Sequence, residues 1–331
     1  MEYLWCLTYY EEAVLEIKSQ LAKESGGNMR QNKMKLLNII AIIMLLGLAL
    51  GSFSQTAMAA GSDPNKPGDM WARYMPIQAV HDQTNEITAK DKQAFGGDVF
   101  GLGWYERPFD QQMGYLPFID ISKALIGRED PNWIYVQIFT VNPSTEGAAS
   151  KPLFGIELDT DIDNRGEFLM TATAPRSTEW TTEGIMVLAN SDNMVGGVNP
   201  VLPDKKLAEN KGYDKEIFNA GKGDDANLVW ARISPKDPKV FEIAFKNSFI
   251  GGAKGKFIYS VWALAGMQDM AKFDFNDHFT REDVGSPLKA DGKLYPIKSL
   301  WGVDNTSRIP SGFVPTRLMP GMPVSFQPIQ Q

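Results

Sequence analysis

Short apolar runs in strand-like alternation begin near residue 116 of this 331-residue chain. In residues 240–246, Phe241, Ile243 and Phe245 alternate with charged or small residues, which is the period of a strand with one buried face. Residues 133–139 are apolar on both faces, as expected for a central strand. The same criteria predict strands at 116–121, 133–141, 153–159, 167–173, 184–190, 227–233, 239–246 and 256–264.

The spacing of these runs predicts an all-β fold. No helical pattern of comparable length follows residue 60, apart from short turns predicted near 121–127 and 267–272. We therefore expect an antiparallel, jelly-roll-like β-sandwich over residues 116–301. Residues 60–115 are expected to form an extended lead-in that wraps the domain. Residues 302–331 are rich in Pro and Gly and are expected to pack as an extended strap or to trail free.

Residues 29–59 have the organisation of a secretory signal peptide. A basic stretch at 29–35 is followed by an apolar stretch at 36–50, and Ala57-Met58-Ala59 matches a cleavage site, with cleavage predicted before Ala60. A membrane anchor is the alternative, but the apolar stretch is shorter than the roughly 20 residues needed to span a bilayer. The pattern predicts a secreted or extracytoplasmic protein with no membrane segment after cleavage.

Residues 1–28 precede this complete signal, where no further segment is expected. Gly26-Gly27-Asn28 can be encoded by a purine-rich sequence that resembles a ribosome-binding site directly before Met29. Our hypothesis is that translation begins at Met29 and that residues 1–28 are a mis-called extension. The alternative is a cytoplasmic helix at 10–23. N-terminal sequencing of the uncleaved precursor distinguishes the two.

The amino-acid composition of the chain argues against several classes of function. The single cysteine, Cys6, precedes the signal, so we expect no disulfide and no thiolate metal site in the mature chain. The net charge of −7 argues against nucleic acid or an anionic membrane as partner. Seven of the eight tryptophans follow residue 59, which suits either a sandwich core or a surface that stacks on sugars.

An acidic run at the end of a predicted strand is the clearest candidate site. Asp159, Asp161 and Asp163 alternate into a turn, and Glu167 follows. The first three positions match the opening of an EF-hand loop, whereas the later positions do not. Such a turn can bring several carboxylates onto one calcium ion, so the candidate metal ligands are Asp159, Asp161, Asp163 and Glu167. The alternative is a solvated acidic turn.

Three stretches, 118–122, 133–138 and 155–163, together form a recurring pattern. It consists of a strand of the form D-x-x-x-L-Y-V-x-I, followed by a strand that ends in D-x-D. The matching residues are Asp130, Ile134, Tyr135, Val136 and Ile138 in the first strand, and Asp159 and Asp161 in the second. The pattern resembles β-sandwiches of carbohydrate-binding module family 9 and DOMON-like domains, and the whole chain looks like secreted bacterial proteins. The resemblance implies a ligand-binding or structural sandwich, often calcium-bound, and it carries over no sugar site.

The same acidic run also permits an enzymatic interpretation. Residues 157–161 are similar to the E-[IL]-D-x-E signature of glycoside hydrolase family 16, in which Glu157 would be the nucleophile and Asp159 the helper. Asp161 stands where that family has a Glu and is one methylene shorter. Neither His81 nor His278 lies in a catalytic motif.

These features together predict a secreted, non-catalytic binding or structural β-sandwich that is calcium-stabilised. A carbohydrate or cell-envelope polymer is the expected partner. A family-16-like retaining hydrolase that uses Glu157 and Asp161 is the alternative.

Overall fold

The alternating apolar positions form two antiparallel β-sheets that share one core. The computed structural model describes residues 63–69, 77–94, 106–144, 151–193, 195, 212–252, 254–265 and 301–315. These all belong to one compact unit, Ser62–Gln331. The predictions for residues 1–28, for the signal peptide at 29–59 and for the turn near 267–272 lie outside the described residues.

Thirteen strands are present in the described part of the chain. In chain order they are β1 (Ile77–His81), β2 (Ile121–Gly127), β3 (Trp133–Thr140), β4 (Leu153–Asp159), β5 (Phe168–Thr173), β6 (Ile185–Ala189), β7 (Lys215–Asn219), β8 (Lys222–Gly223), β9 (Val229–Ile233), β10 (Val240–Lys246), β11 (Phe257–Leu264), β12 (Val303–Asn305) and β13 (Ile309–Ser311). Two 3-10 turns, Thr88–Asp91 and Asn247–Ile250, are the helical elements of this part.

The first sheet has the strand order β1-β2-β3-β10-β9, and the second has β12-β11-β4-β5-β6-β7-β8, with β13 also paired to β11. The two sheets contribute jointly to the core: Phe154 of β4 stacks on Phe241 of β10 with ring centroids 4.6 Å apart. On β4, Phe154, Ile156 and Leu158 all belong to this core. The predicted all-β antiparallel sandwich is confirmed, and seven of the eight predicted strands match β3, β4, β5, β6, β9, β10 and β11 within two residues at each end.

The prediction of a strand at 116–121 is wrong. Residues 117–119 form a turn, and the strand β2 occupies 121–127, where a helical turn was expected. Pro117 has a fixed φ and no N–H to donate, which favours a turn over a paired strand. A shift of register between Ile121 and Lys123 breaks the alternation of β2, so its apolar positions do not show the period of a strand.

The flanking segments contribute strands that the sequence did not reveal. Within the predicted lead-in, Ile77–His81 pairs with β2 at the edge of the first sheet. Within the predicted C-terminal strap, β12 and β13 both pair with β11, so residues 303–311 pack against the domain, and residues 316–331 lie outside the described residues. Among the residues described, no helix is long and apolar enough to cross a membrane.

Candidate metal centre

The acidic loop, residues 159–167, connects β4 to β5. The alternation of β4 directs Phe154, Ile156 and Leu158 into the core, so Glu157 and Asp159 lie on the opposite face of the strand. The strand ends at Asp159, and Asp161 and Asp163 are therefore in the loop and not on a continued strand face. Ile162 and Asn164 adopt positive φ angles of 67° and 75°, which turn the chain back sharply.

The loop brings together all four predicted metal ligands. Asp159, Asp161, Asp163 and Glu167 each offer a carboxylate oxygen, and these oxygens lie within 4.8 Å of one another. Asp159 is buried, Glu167 is half-buried, and Asp161 and Asp163 are exposed. The arrangement could hold a metal ion, because hard cations such as Ca²⁺ and Mg²⁺ take oxygen ligands.

Backbone N–H groups of the loop orient these carboxylates. Asp159 accepts hydrogen bonds from the N–H of Ile162 at 2.7 Å and from the N–H of Asn164 at 3.0 Å, one on each oxygen. One oxygen of Asp161 accepts from the N–H of Asp163 at 3.1 Å, and one oxygen of Asp163 accepts from the N–H of Arg165 at 2.8 Å. Asp and Asn favour such turns for this reason, and the loop is consequently preorganised.

Glu167 has one engaged oxygen and one without a partner. Its Oε2 accepts hydrogen bonds from the N–H and from the Oγ1 hydroxyl of Thr160, the latter at 3.1 Å. Its Oε1 is buried and, within the described residues, has no hydrogen-bond partner. A buried carboxylate oxygen without a donor is unfavourable. This oxygen belongs to a side chain that already lies within the cluster, so a cation bound there would satisfy it.

A positively charged side chain from outside the loop contacts it. The guanidinium of Arg308, which follows β12, lies 3.3 Å from Oδ2 of Asp159 and donates to the carbonyl oxygen of Asn164 at 2.9 Å. The loop also contains Arg165, so its four carboxylates together with Arg165 and Arg308 leave a net charge of −2 when all are ionised. Arg308 therefore stabilises Asp159 without neutralising the loop.

Burial, more than the excess of negative charge, raises the pKa values of two of these ligands. Burial raises the pKa of Asp159 to about 6, although Arg308 and the two N–H donors act in the opposite direction. Burial, with added repulsion from Asp159 and Asp161, raises the pKa of Glu167 to about 7. Protons and a metal ion would therefore compete for the same oxygens near neutral pH.

Glu157, the nucleophile of the hydrolase alternative, is buried at 6% exposure. Its Oε1 accepts a hydrogen bond from the hydroxyl of Tyr213 at 2.6 Å, and its Oε2 accepts from the hydroxyl of Ser260 at 3.0 Å. A Cβ at Gly166 would lie 1.9 Å from the Tyr213 hydroxyl, so only glycine fits there. Glu157 is thus a satisfied buried group, whereas a retaining hydrolase needs it open to substrate beside Asp161. The hydrolase stays a prediction that this geometry does not favour.

Asp130, the first residue of the D-x-x-x-L-Y-V-x-I pattern, lies just before β3 and hydrogen-bonds to the backbone there. Its Oδ1 accepts from the N–H groups of Asn132 at 2.9 Å and Trp133 at 3.2 Å.

The described tryptophans are buried or half-buried, and none is exposed to solvent. The described tryptophans therefore offer no exposed ring for stacking on a sugar, although not all of them belong to the core between the sheets.

A second acidic cluster lies in the interior and was missed by the sequence analysis. Oxygens of Asp82, Glu106 and Asp304 lie within 4.8 Å of one another, and Glu106 and Asp304 are buried. An isolated bridge between Arg107 and Val303 places Glu106 opposite Asp304. These residues come from three distant segments, so no spacing in the sequence signals the cluster.

Asp120 extends this interior cluster. Its Oδ2 accepts from the N–H of Asn85 at 2.9 Å and from the hydroxyl of Tyr115 at 2.5 Å, and the next residue, Ile121, donates its N–H to Asp304. Burial raises the pKa of Asp120 to about 7 and that of Asp304 well above its ordinary value, with repulsion from Asp120 adding to the latter. The one sequence signal is that Asp120 stands between two isoleucines.

Comparison of the chain with protein-family models, with curated proteins and with solved structures gives no match.

Proposed function

We propose that this protein is a non-catalytic binding or structural β-sandwich, exported from the cell, that is stabilised by a calcium ion in the acidic loop. The observation that carries the proposal is the buried Oε1 of Glu167, which lacks a hydrogen-bond partner within a cluster of four carboxylates. Calcium takes 6–8 oxygen ligands in flexible geometry, so four carboxylates with water or carbonyl oxygens meet its requirement. Extracellular calcium is plentiful enough for weak sites.

The loop geometry favours calcium over magnesium. Magnesium requires near-ideal octahedral geometry and usually binds through one or two carboxylates with several retained waters. Here four carboxylates from one short loop converge, two of them exposed and adjustable. The ion would fix the end of the β4–β5 hairpin, where β4 and β5 pair up to Leu158 and Phe168.

Thermal unfolding of residues 60–331 with calcium and with chelator tests this proposal. At 10 mM calcium and a Kd of about 0.1 mM, mass action adds about 2.7 kcal/mol of stability. The expected rise in Tm is about 5–10 °C for a chain of this size. Asp161→Ala is expected to lose this rise. An unchanged Tm at 10 mM calcium would show that the loop is a solvated acidic turn.

A carbohydrate or cell-envelope polymer is the partner that we propose, on the basis of the resemblance to secreted sandwiches. A pocket of about 340 Å³ lies at the end of the β4–β5 hairpin opposite to the acidic loop, between Pro152, Thr173 and Ala174. Lys151 and Arg176 line it, which suits hydroxyl or anionic groups of such a polymer. Co-sedimentation with insoluble polysaccharides and purified cell envelope tests the partner, and release of reducing ends from β-glucan would instead support the hydrolase alternative.

A further inference from the structure

The outer side of the five-stranded sheet carries an unusual aromatic surface. On β3, Ile134 and Val136 face the shared core, whereas Trp133 and Tyr135 lie on the opposite side. There they form a separate cluster with Trp180 and Ala244, which we call the aromatic face. The outer side of a sandwich sheet normally carries polar residues. Trp133, Tyr135 and Trp180 are nevertheless only 0%, 1% and 8% exposed.

Residues 63–69 of the same chain contact this aromatic face. The indole N–H of Trp133 donates to the carbonyl oxygen of Asp63 at 2.7 Å, and the indole N–H of Trp180 donates to the carbonyl oxygen of Gly68 at 2.9 Å. The N–H of Gly68 donates to the hydroxyl oxygen of Tyr135 at 3.0 Å. These aromatic side chains therefore hydrogen-bond to the main chain of the segment. Pro67 is buried between the two anchor points.

A charged contact holds Asp69, the residue after the Pro-Gly pair. The guanidinium of Arg232 lies 4.3 Å from the ring centre of Trp180 and 3.4 Å from a carboxylate oxygen of Asp69. The same guanidinium is held by Glu242, with its Nε 2.5 Å from Oε2. An arginine that is stacked and held in this way presents its remaining N–H groups in a fixed direction. The aromatic face thus recognises a carboxylate directly after the Pro-Gly pair.

The contacts between the aromatic face and residues 63–69 do not require that both belong to the same chain. The bonds above run from aromatic and arginine side chains to residues 63–69, and in the described part of the chain these residues belong to no sheet ladder. Aromatic grooves that bind proline-containing peptides use the same combination of ring packing and donors to carbonyl oxygens. A free peptide with this sequence can make the same contacts.

We propose that the aromatic face is a docking site for a peptide in which Pro-Gly is followed directly by an acidic side chain, and that residues 63–69 of a second copy of the chain are the partner that fits it. The chain's own segment then occupies the site within one molecule and competes with the segment of a neighbour. Because a tethered segment has an effective concentration in the millimolar range, exchange between copies is weak until the tethered segment is loosened.

A fluorescently labelled peptide of residues 60–69 tests the proposal by anisotropy titration against residues 60–331. In the protein, Gly68→Pro removes the N–H that Tyr135 accepts and changes only the tethered segment. We expect this variant to bind the peptide roughly fivefold more tightly than the unchanged protein, the value of one net hydrogen bond. Adding Trp180→Phe, which keeps a ring and removes the indole donor, is expected to reverse that gain.

A second peptide is the matched control for the contact between Asp69 and Arg232. An otherwise identical peptide with Asp69→Lys is expected to lose binding, because its ammonium would face Arg232. The Gly68→Pro protein keeps an intact aromatic face, and the Trp180→Phe protein keeps an intact segment. Light scattering of their equimolar mixture is expected to show a dimer that grows with concentration, whereas either protein alone is expected to show less of it. The proposal is overturned if folded Gly68→Pro protein does not bind millimolar peptide, if affinity is independent of Trp180, or if the mixture of the two variants remains monomeric while the Gly68→Pro protein binds peptide.

Discussion

The acidic loop and the interior cluster both bring several carboxylates together, but the loop lies partly in solvent whereas the interior cluster is mostly buried. Both bring carboxylate oxygens within 4.8 Å of one another. In the loop, Asp161 and Asp163 are exposed and each accepts a backbone N–H, so water and peptide dipoles stabilise their charge. In the interior, Glu106 and Asp304 are buried at the junction of three chain segments. The exposed carboxylates therefore leave the loop accessible to a cation from solvent.

In the interior cluster, burial favours the protonated form of two carboxyl groups. Burial is the largest cause that raises the pKa values of both Asp120 and Asp304, and repulsion between them adds to the shift of Asp304. A protonated carboxyl can donate a hydrogen bond to a neighbouring carboxylate, which is how a buried acid pair becomes tolerable. Closeness of acidic residues alone therefore does not define a metal site, because burial raises the pKa of carboxylates in both clusters and only the loop also presents exposed ones.

The largest expected effect comes from Asp159, the one buried carboxylate of the loop. Asp159→Ala leaves Arg308 without its carboxylate and removes the acceptor for the N–H groups of Ile162 and Asn164. Breaking a buried ion pair from one side costs about 3–5 kcal/mol. Urea unfolding in chelator measures this loss, and Asp159→Asn is the matched control. A loss below about 1 kcal/mol would contradict the role of Asp159 as the anchor of the loop.

The second-largest expected effect is a change of stability with pH that is caused by Asp120 of the interior cluster. Because the pKa of Asp120 is raised to about 7, folding favours its protonated form, and this contribution to stability is lost as pH rises from about 4 to about 7. Asp120→Asn keeps an acceptor for Asn85 and Tyr115 but cannot ionise. We expect the unchanged protein to lose on the order of 3 kcal/mol more than this variant over that range.

Urea unfolding of both proteins at pH 4.5, 6 and 7.5, in chelator, measures this difference. The comparison of variant and unchanged protein at each pH cancels the titration of groups that do not interact with Asp120, whereas the smaller pKa shift of Asp304 in the variant adds to the difference. Parallel pH profiles would show that Asp120 is ionised in the fold throughout, and the contrast between the two clusters would then fail.

The smallest expected effect is that of Asp161→Ala without metal. Asp161 is exposed, and its described hydrogen bond is to the adjacent turn. Surface substitutions of this kind change the free energy of unfolding by no more than about 0.5 kcal/mol. The same variant is expected to abolish stabilisation by calcium, so the two conditions separate ligand binding from folding. A large loss in chelator would show that Asp161 contributes to the fold itself.

Local patterns predicted those parts of the structure in which neighbours in sequence are neighbours in space. The alternation in residues 240–246 placed β10 correctly, and the run from Asp159 to Glu167 identified all four residues of the loop cluster. β2 was mispredicted because its bulge breaks the period of two. Ile77–His81 and Val303–Asn305 were missed because short edge strands have too few residues to show a period.

The sequence by itself determined the β class, the absence of disulfides after residue 59 and the convergence of carboxylates in one turn, because these depend on composition and on contacts within a few residues. Tertiary structure alone decided that Glu157 is buried against Tyr213 and Ser260, and that Asp304 meets Glu106. It also decided that residues 63–69 bind the aromatic face. Such contacts join residues tens to hundreds of positions apart, and their energies come from burial and hydrogen bonding that exist only after both sheets have formed.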